Sequence, residues 1–305
     1  MAYLVLIILA NINANIHSKT SLHGYLLLAL LPIPKFVHKD SCVHGLLKDQ
    51  LFHQALNHIL APLKTAATVG VMMSDLVGNL WSCYTLLASW ITDTPEECLI
   101  AGTGPKASPV TTTTSKHFGN PFHHSTCTSQ TTLSAIRTVC AEHDPSDYKN
   151  FLKVVRCLRL NSVVDPVWID WPLSEPCEFI TPEALHHFYR FFWDHNVKWS
   201  IAATGATELN FRFSLLQTPV RYCAFKDSIS KLKQVIGCDH CAIQHYIVGV
   251  IAGLVLRHFL ITIRSLVDFH YLAQVPVFTD DLLINVAKAL QDFHNHKDAI
   301  TWAGA

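Results

Sequence analysis

Leu80-Trp-Ser-Cys-Tyr-Thr-Leu-Leu-Ala-Ser-Trp-Ile-Thr-Asp-Thr-Pro-Glu-Glu-Cys98 is the stretch on which the fold turns. Leu80–Ile91 is rich in aromatic and apolar residues and predicts a strand. The strand ends at Asp93, just before Thr94-Pro95-Glu96, and a proline followed by an acidic pair is typical of a first helical turn. A strand running into a helix, with a carboxylate at the junction, sets an α/β reading for the front of the chain.

Outward from this junction, Asp75-Leu-Val-Gly78 is a turn signal on the upstream side. Before it, Cys42–Ala67 carries Phe52, Leu56, Ile59, Leu60 and Leu63 at helical spacing. Tyr3–Ile12 and Tyr25–Ile33 read as buried strands, the second stopped by Pro32 and Pro34. On the downstream side, Gly102–Thr132 is a loop or linker, with Gly-Pro, Ser-Pro, four consecutive threonines and Gly-Asn-Pro. Pro166, Pro172, Pro176 and Pro182 break the chain again around Trp168 and Trp171. Helices are predicted at Glu183–Phe192, Ser228–Val235, Ala242–Val267 and Asp280–His294. The fold class expected is therefore α/β in front and mostly α behind.

Half of the 305 residues are apolar, enough for a sizeable core. Formal net charge is zero, so no basic footprint for a phosphate backbone is on offer. Eight arginines, the first at Arg137, stand against nineteen histidines and ten cysteines. The cysteines are dispersed through a long chain, which points to a reducing compartment and away from a disulfide scaffold. Ile247–Ile263 approaches membrane-spanning length, but Arg257 and His258 interrupt it, so a buried core helix is expected and an integral membrane protein is the rival.

The imbalance between arginine and the soft ligands has two readings: a metal-rich protein, or arginine positions lost to mutation. Cys238-Asp-His-Cys241 with His245 is the compact cluster of soft ligands. A structural zinc site takes four ligands, usually as two separated pairs, and a second Cys-x-x-Cys is missing. His294 and His296 are two apart and point away from each other on a helix.

Several phrases, in order, resemble the Plavaka transposases, a fungal family of DNA transposases similar to the CACTA-type ones. They are Leu31-Pro-Ile-Pro-Lys35, Asp93-Thr-Pro-Glu96, Ser108-Pro-Val-Thr111, Thr181-Pro-Glu-Ala-Leu-His186, Phe192-Trp-Asp-His-Asn-Val-Lys-Trp199 and Glu208-Leu-Asn-Phe-Arg-Phe213. Ser230-Lys-Leu-Lys-Gln234, Asp268-Phe-His-Tyr-Leu-Ala-Gln274 and Phe293-His-Asn-His-Lys297 continue the series, so the resemblance runs from about Tyr3 to Ala305.

The resemblance implies a partial RNase H-like α/β core over 1–105, a linker and large helical insertion over 106–200, and a helical C-terminal region over 201–305. It implies cut-and-paste chemistry on transposon-end DNA in the nucleus, with Mg2+ held by three acidic residues. Carried onto this chain, Asp93 is the second acid, with a helix cap as its plain structural alternative. Glu208 is the third, with Glu183 as its rival. The first acid would lie upstream of Met1, so the chain is expected to be a truncated, degenerate and inactive copy. The resemblance also sets arginines at or near Gln50, Trp81, Cys238, Cys241, His245 and His270, and each loss removes a forked phosphate donor. A homo-oligomer is compatible with such a chain. A domesticated DNA- or protein-binding module is the alternative from another class.

Overall fold

The computed structural model describes residues 2–17, 19–217, 219, 223–225, 228–232 and 237–305. The chain divides into two compact units, Met1–Pro182 and Glu183–Ala305.

The first unit opens with β1 (Ala2–Ile8), a short helical turn α1 (Ala14–His17) and β2 (Tyr25–Pro32). β1 and β2 form an antiparallel ribbon, with a register shift between Val5 and Leu6. Both predicted strands form, but their expected burial does not follow: Leu4, Leu6, Leu26, Leu27 and Leu30 are exposed, and Leu31 is buried. A two-stranded ribbon has one face to lay on a neighbour, and alternate side chains point to the other. The neighbour is α2 (Ser41–Val69), 29 residues with Pro62 inside, which brings Leu56 and Leu60 into the same cluster as Leu31. The apolar spacing read from the sequence is the face that α2 buries.

β3 (Val71–Ser74) and β4 (Leu80–Cys83) pair antiparallel around the predicted turn. Asp75 holds that turn: its carboxylate accepts the N–H groups of Val77 at 3.0 Å and Asn79 at 2.8 Å, and Trp81 Nε1–H at 3.1 Å. Gly78 takes a left-handed φ of 92°, which glycine adopts without a steric penalty. The single strand expected over Leu80–Ile91 is in fact two. β4 ends at Cys83, and β5 (Trp90–Thr92) pairs in parallel with β6 (Ile180–Pro182). Between them the chain is tied by other means, with Thr85 Oγ donating to Leu63 O and Leu87 N–H donating to Ser174 Oγ.

α3 (Thr94–Ala101), α4 (Ser129–Glu142), α5 (Tyr148–Cys157) and α6 (Pro176–Phe179) complete the unit. The predicted loop after α3 forms as one, pinned by Arg159, whose guanidinium donates to Thr111 O at 2.6 Å and Ser108 O at 3.3 Å. The proline-broken stretch is structural too. Trp168 is buried and donates to Ile100 O at 2.6 Å. His53, at the centre of α2, is 1% exposed and links three segments. Its Nε2–H donates to Leu99 O at 2.9 Å, and its Nδ1 accepts Val167 N–H at 2.9 Å. Burial, with the charge of Lys64 acting the same way, holds His53 down from 6.5 to about 4, so the ring is neutral.

The second unit is helical. It begins with wide π-type turns over Leu185–Arg190 and Trp193–Val197, where an ordinary helix over Glu183–Phe192 was expected. α7 (Lys198–Thr204), α8 (Ala206–Ser214), α9 (Gly237–Ile251), α10 (Arg257–Ala273), α11 (Asp280–His296) and α12 (Asp298–Trp302) follow. Phe192, Val197, Phe213, Ile247, Phe259 and Ile263 meet in one closed core.

The single helix predicted over Ala242–Val267 is two. Gly253 turns left-handed at φ 77°, and Arg257 opens α10 on exposed chain rather than interrupting an apolar span. Among the described residues no helix is long and apolar enough to cross a membrane. Of the predicted helix Ser228–Val235, residues 228–232 form a turn, and 233–235 lie outside the described residues.

Candidate active site

Asp93 follows β5 directly and is half-buried. Its extended backbone (φ −78°, ψ 163°) makes it the N-cap of α3. One carboxylate oxygen, Oδ1, accepts Glu96 N–H at 3.1 Å, and among the described residues the cap uses that oxygen. Trp90 Nε1–H donates to Glu96 Oε1 at 3.2 Å, which fixes the first turn of α3 against the strand that precedes it. The structural alternative foreseen for Asp93 is therefore realised. Its place is also the one at which an open parallel sheet presents chemistry, outside the carboxyl end of a strand.

Glu183 directly follows β6 in the chain. Its carboxylate accepts the N–H groups of Leu185 at 2.7 Å and His186 at 2.5 Å, and also contacts His186 Nδ1 at 2.5 Å. Partial burial pushes its pKa up, but these hydrogen bonds outweigh it and leave the carboxyl below its usual range.

Glu208 lies in the first turn of α8 and grips Arg212 one turn on, Oε1 to Nε at 2.8 Å. Arg212 Nη1–H in turn donates to the carbonyls of Val250 and Ala252 at 3.1 and 3.0 Å. A cation at the C-terminus of α9 satisfies carbonyls that the helix leaves open. Glu208 thus orients the residue that ends α9. Asp93 belongs to the first unit, and Glu183 and Glu208 to the second.

The compact cluster of soft ligands comes apart. His240 is buried, stacked on Tyr189 with ring centroids 6.3 Å apart and edge-on to Trp193 at 5.9 Å. Cys241 hydrogen-bonds the Tyr189 hydroxyl and pushes that phenol up to about 12. Cys238 and Asp239 instead gather with Cys223, all donor atoms lying within 4.8 Å of one another. Sequence spacing missed Cys223, because only the folded chain brings it to the start of α9.

With this geometry in hand, the family model described as Plavaka transposase matches residues 1–200. The chain belongs to the Plavaka transposase family. No curated protein and no solved structure matches it. Asp93 and Glu183 lie within the matched stretch, and Glu208 lies beyond it.

Proposed function

We propose that this transposase-derived chain keeps the remains of an RNase H-like core over 1–105, a linker and helical insertion over 106–200 and a helical C-terminal region over 201–305, and no longer cuts DNA. The observation that carries the reading is Asp93, a half-buried carboxylate directly after one strand of a parallel pair, within the family-matched stretch. In intact relatives the reaction is cleavage and strand transfer at transposon ends, in the nucleus. Magnesium, where bound, would supply activation of water or a 3′ hydroxyl and stabilisation of the leaving oxygen.

Asp93 and Glu208, with Glu183 as the rival to Glu208, are the oxygen donors that would hold such an ion, and their chemistry fits a hard cation. Asp93 can offer the oxygen outside its cap. Glu208 is committed to Arg212, and turning it toward a metal would release the clamp on α9. Glu183, the rival to Glu208 as the third acid, is the next residue after β6 in the chain. The commitment of Glu208 to Arg212 supports a chain without cleavage activity.

A second reading is a domesticated DNA- or protein-binding module, for whose protein-binding form the exposed Leu26, Leu30, Met72 and Trp81 of the two ribbons offer a surface. Binding of a short labelled DNA duplex at low salt, repeated as salt is raised, separates these. A relic with zero net charge binds weakly and without a steep salt slope. A salt-sensitive affinity would instead establish a retained DNA-binding module.

A further inference from the structure

We propose that Cys223, Cys238 and Asp239 form a binding site for a single borderline-soft dication of the zinc class. The two thiols and the carboxylate converge, with every donor atom within 4.8 Å of the others, close enough for one ion to bind all three. Cys238 is exposed and Cys223 half-buried, so an ion can enter from solvent. Cys238 and Asp239 sit in the first turn of α9, a helix of 15 residues, where the positive end of the peptide dipoles favours thiolate and carboxylate.

The group is crowded with acids. A dication would draw these donors together, and its binding would deprotonate both thiols outright.

The donor set decides the class of ion. Two sulfurs select zinc, or its spectroscopic substitutes, over magnesium. Two thiolates and a carboxylate supply three positions of a tetrahedron and leave the fourth to water. Asp239 also argues against a simple disulfide as the purpose of the pairing, because a disulfide has no use for the carboxylate. Such an ion would clip Cys223 to the start of α9 and close the intervening chain, constraining the unfolded state as any cross-link does. The site is independent of the transposase reading, lying beyond the family-matched stretch and using none of its acids.

The test is titration of the reduced full-length chain with Co2+, followed by displacement with Zn2+. We expect one equivalent to produce sulfur-to-cobalt charge-transfer absorption, with the visible bands of four-coordinate cobalt. C223S and C238S should each weaken binding by about tenfold or more. D239N should weaken it less while the sulfur band persists. C241S, whose thiol pairs with Tyr189, should leave it unchanged. Absence of the sulfur band in the reduced wild-type chain overturns the proposal without recourse to any variant. Undiminished cobalt affinity in a C223S/C238S chain also overturns it, because other thiols would then hold the ion.

Discussion

The two units are stabilised in different ways. The second buries Phe192, Phe213, Phe259 and their neighbours in one closed helical core. The first splits its core into two smaller clusters, around Phe179 and around Phe151, carries two-stranded sheets that leave Leu4, Leu26, Leu30 and Met72 in solvent, and ties its segments with polar links at His53, Trp168 and Arg159. Apolar content alone therefore does not show what is buried. A helix bundle hides apolar residues on several sides, whereas a ribbon of two strands can cover only one face.

The largest effect that would sharpen this comparison comes from the core. Phe259→Ala should cost about 3–5 kcal/mol, because it removes a fully buried ring from a packed cluster. Leu30→Ala, an equally apolar residue on the open face of β2, should leave stability nearly unchanged. Urea unfolding of both variants checks this, and equal losses would break the contrast between the closed helical core and the open face of the ribbon.

Acid should act on both units through buried imidazoles. His53 in the first unit and His270 in the second are each held by burial at about 4. A depressed histidine must take up a proton more readily when unfolded, so its stabilising contribution is complete above the ordinary value of 6.5. That contribution falls away as pH drops from there toward 4. Each shift corresponds to about 3 kcal/mol when fully expressed. In the first unit protonation would also cost His53 the bond it accepts from Val167. Hydrogen exchange read segment by segment between neutral pH and pH 4.5 should show protection lost around α2 and around α10. Protection that does not change with pH would contradict the neutral, buried assignment.

A smaller effect is expected at Asp93. Asp93→Ala removes the cap of α3 and should cost about 1 kcal/mol, while Asp93→Asn, which can still accept Glu96 N–H, should cost less. Thermal unfolding of the two variants ranks them. An alanine variant as stable as the parent would remove the structural role.

What was legible in the sequence was local. The apolar spacing of Phe52, Leu56 and Leu60 marked α2, because periodicity is a property of one segment. Asp75 and Gly78 marked their turn, and Asp93 before Pro95 marked the strand-to-helix junction. What was not legible depended on partners distant in the chain. Val71–Ser74 draws β4 into a hairpin and Ile180–Pro182 draws β5 elsewhere, so one apolar run became two strands. The run from Ala242 to Val267 split at Gly253, where Arg212 of another helix supplies the cap on Val250 and Ala252. Cys223 came to Cys238 and Asp239 through folding that no spacing rule describes. For the candidate site, the junction marked Asp93 as a helix cap and the resemblance alone marked it as an acid of the site, while the commitment of Glu208 to Arg212 was hinted at only by their four-residue spacing.

The central claim is that this member of the family uses its retained acids for the fold and not for chemistry. It is tested most directly by incubating the purified chain and its Asp93→Asn variant with labelled duplex DNA and Mg2+, and resolving the strands. The account predicts intact DNA with both proteins. Magnesium-dependent strand cleavage by the parent chain, lost in the Asp93→Asn variant, would contradict it.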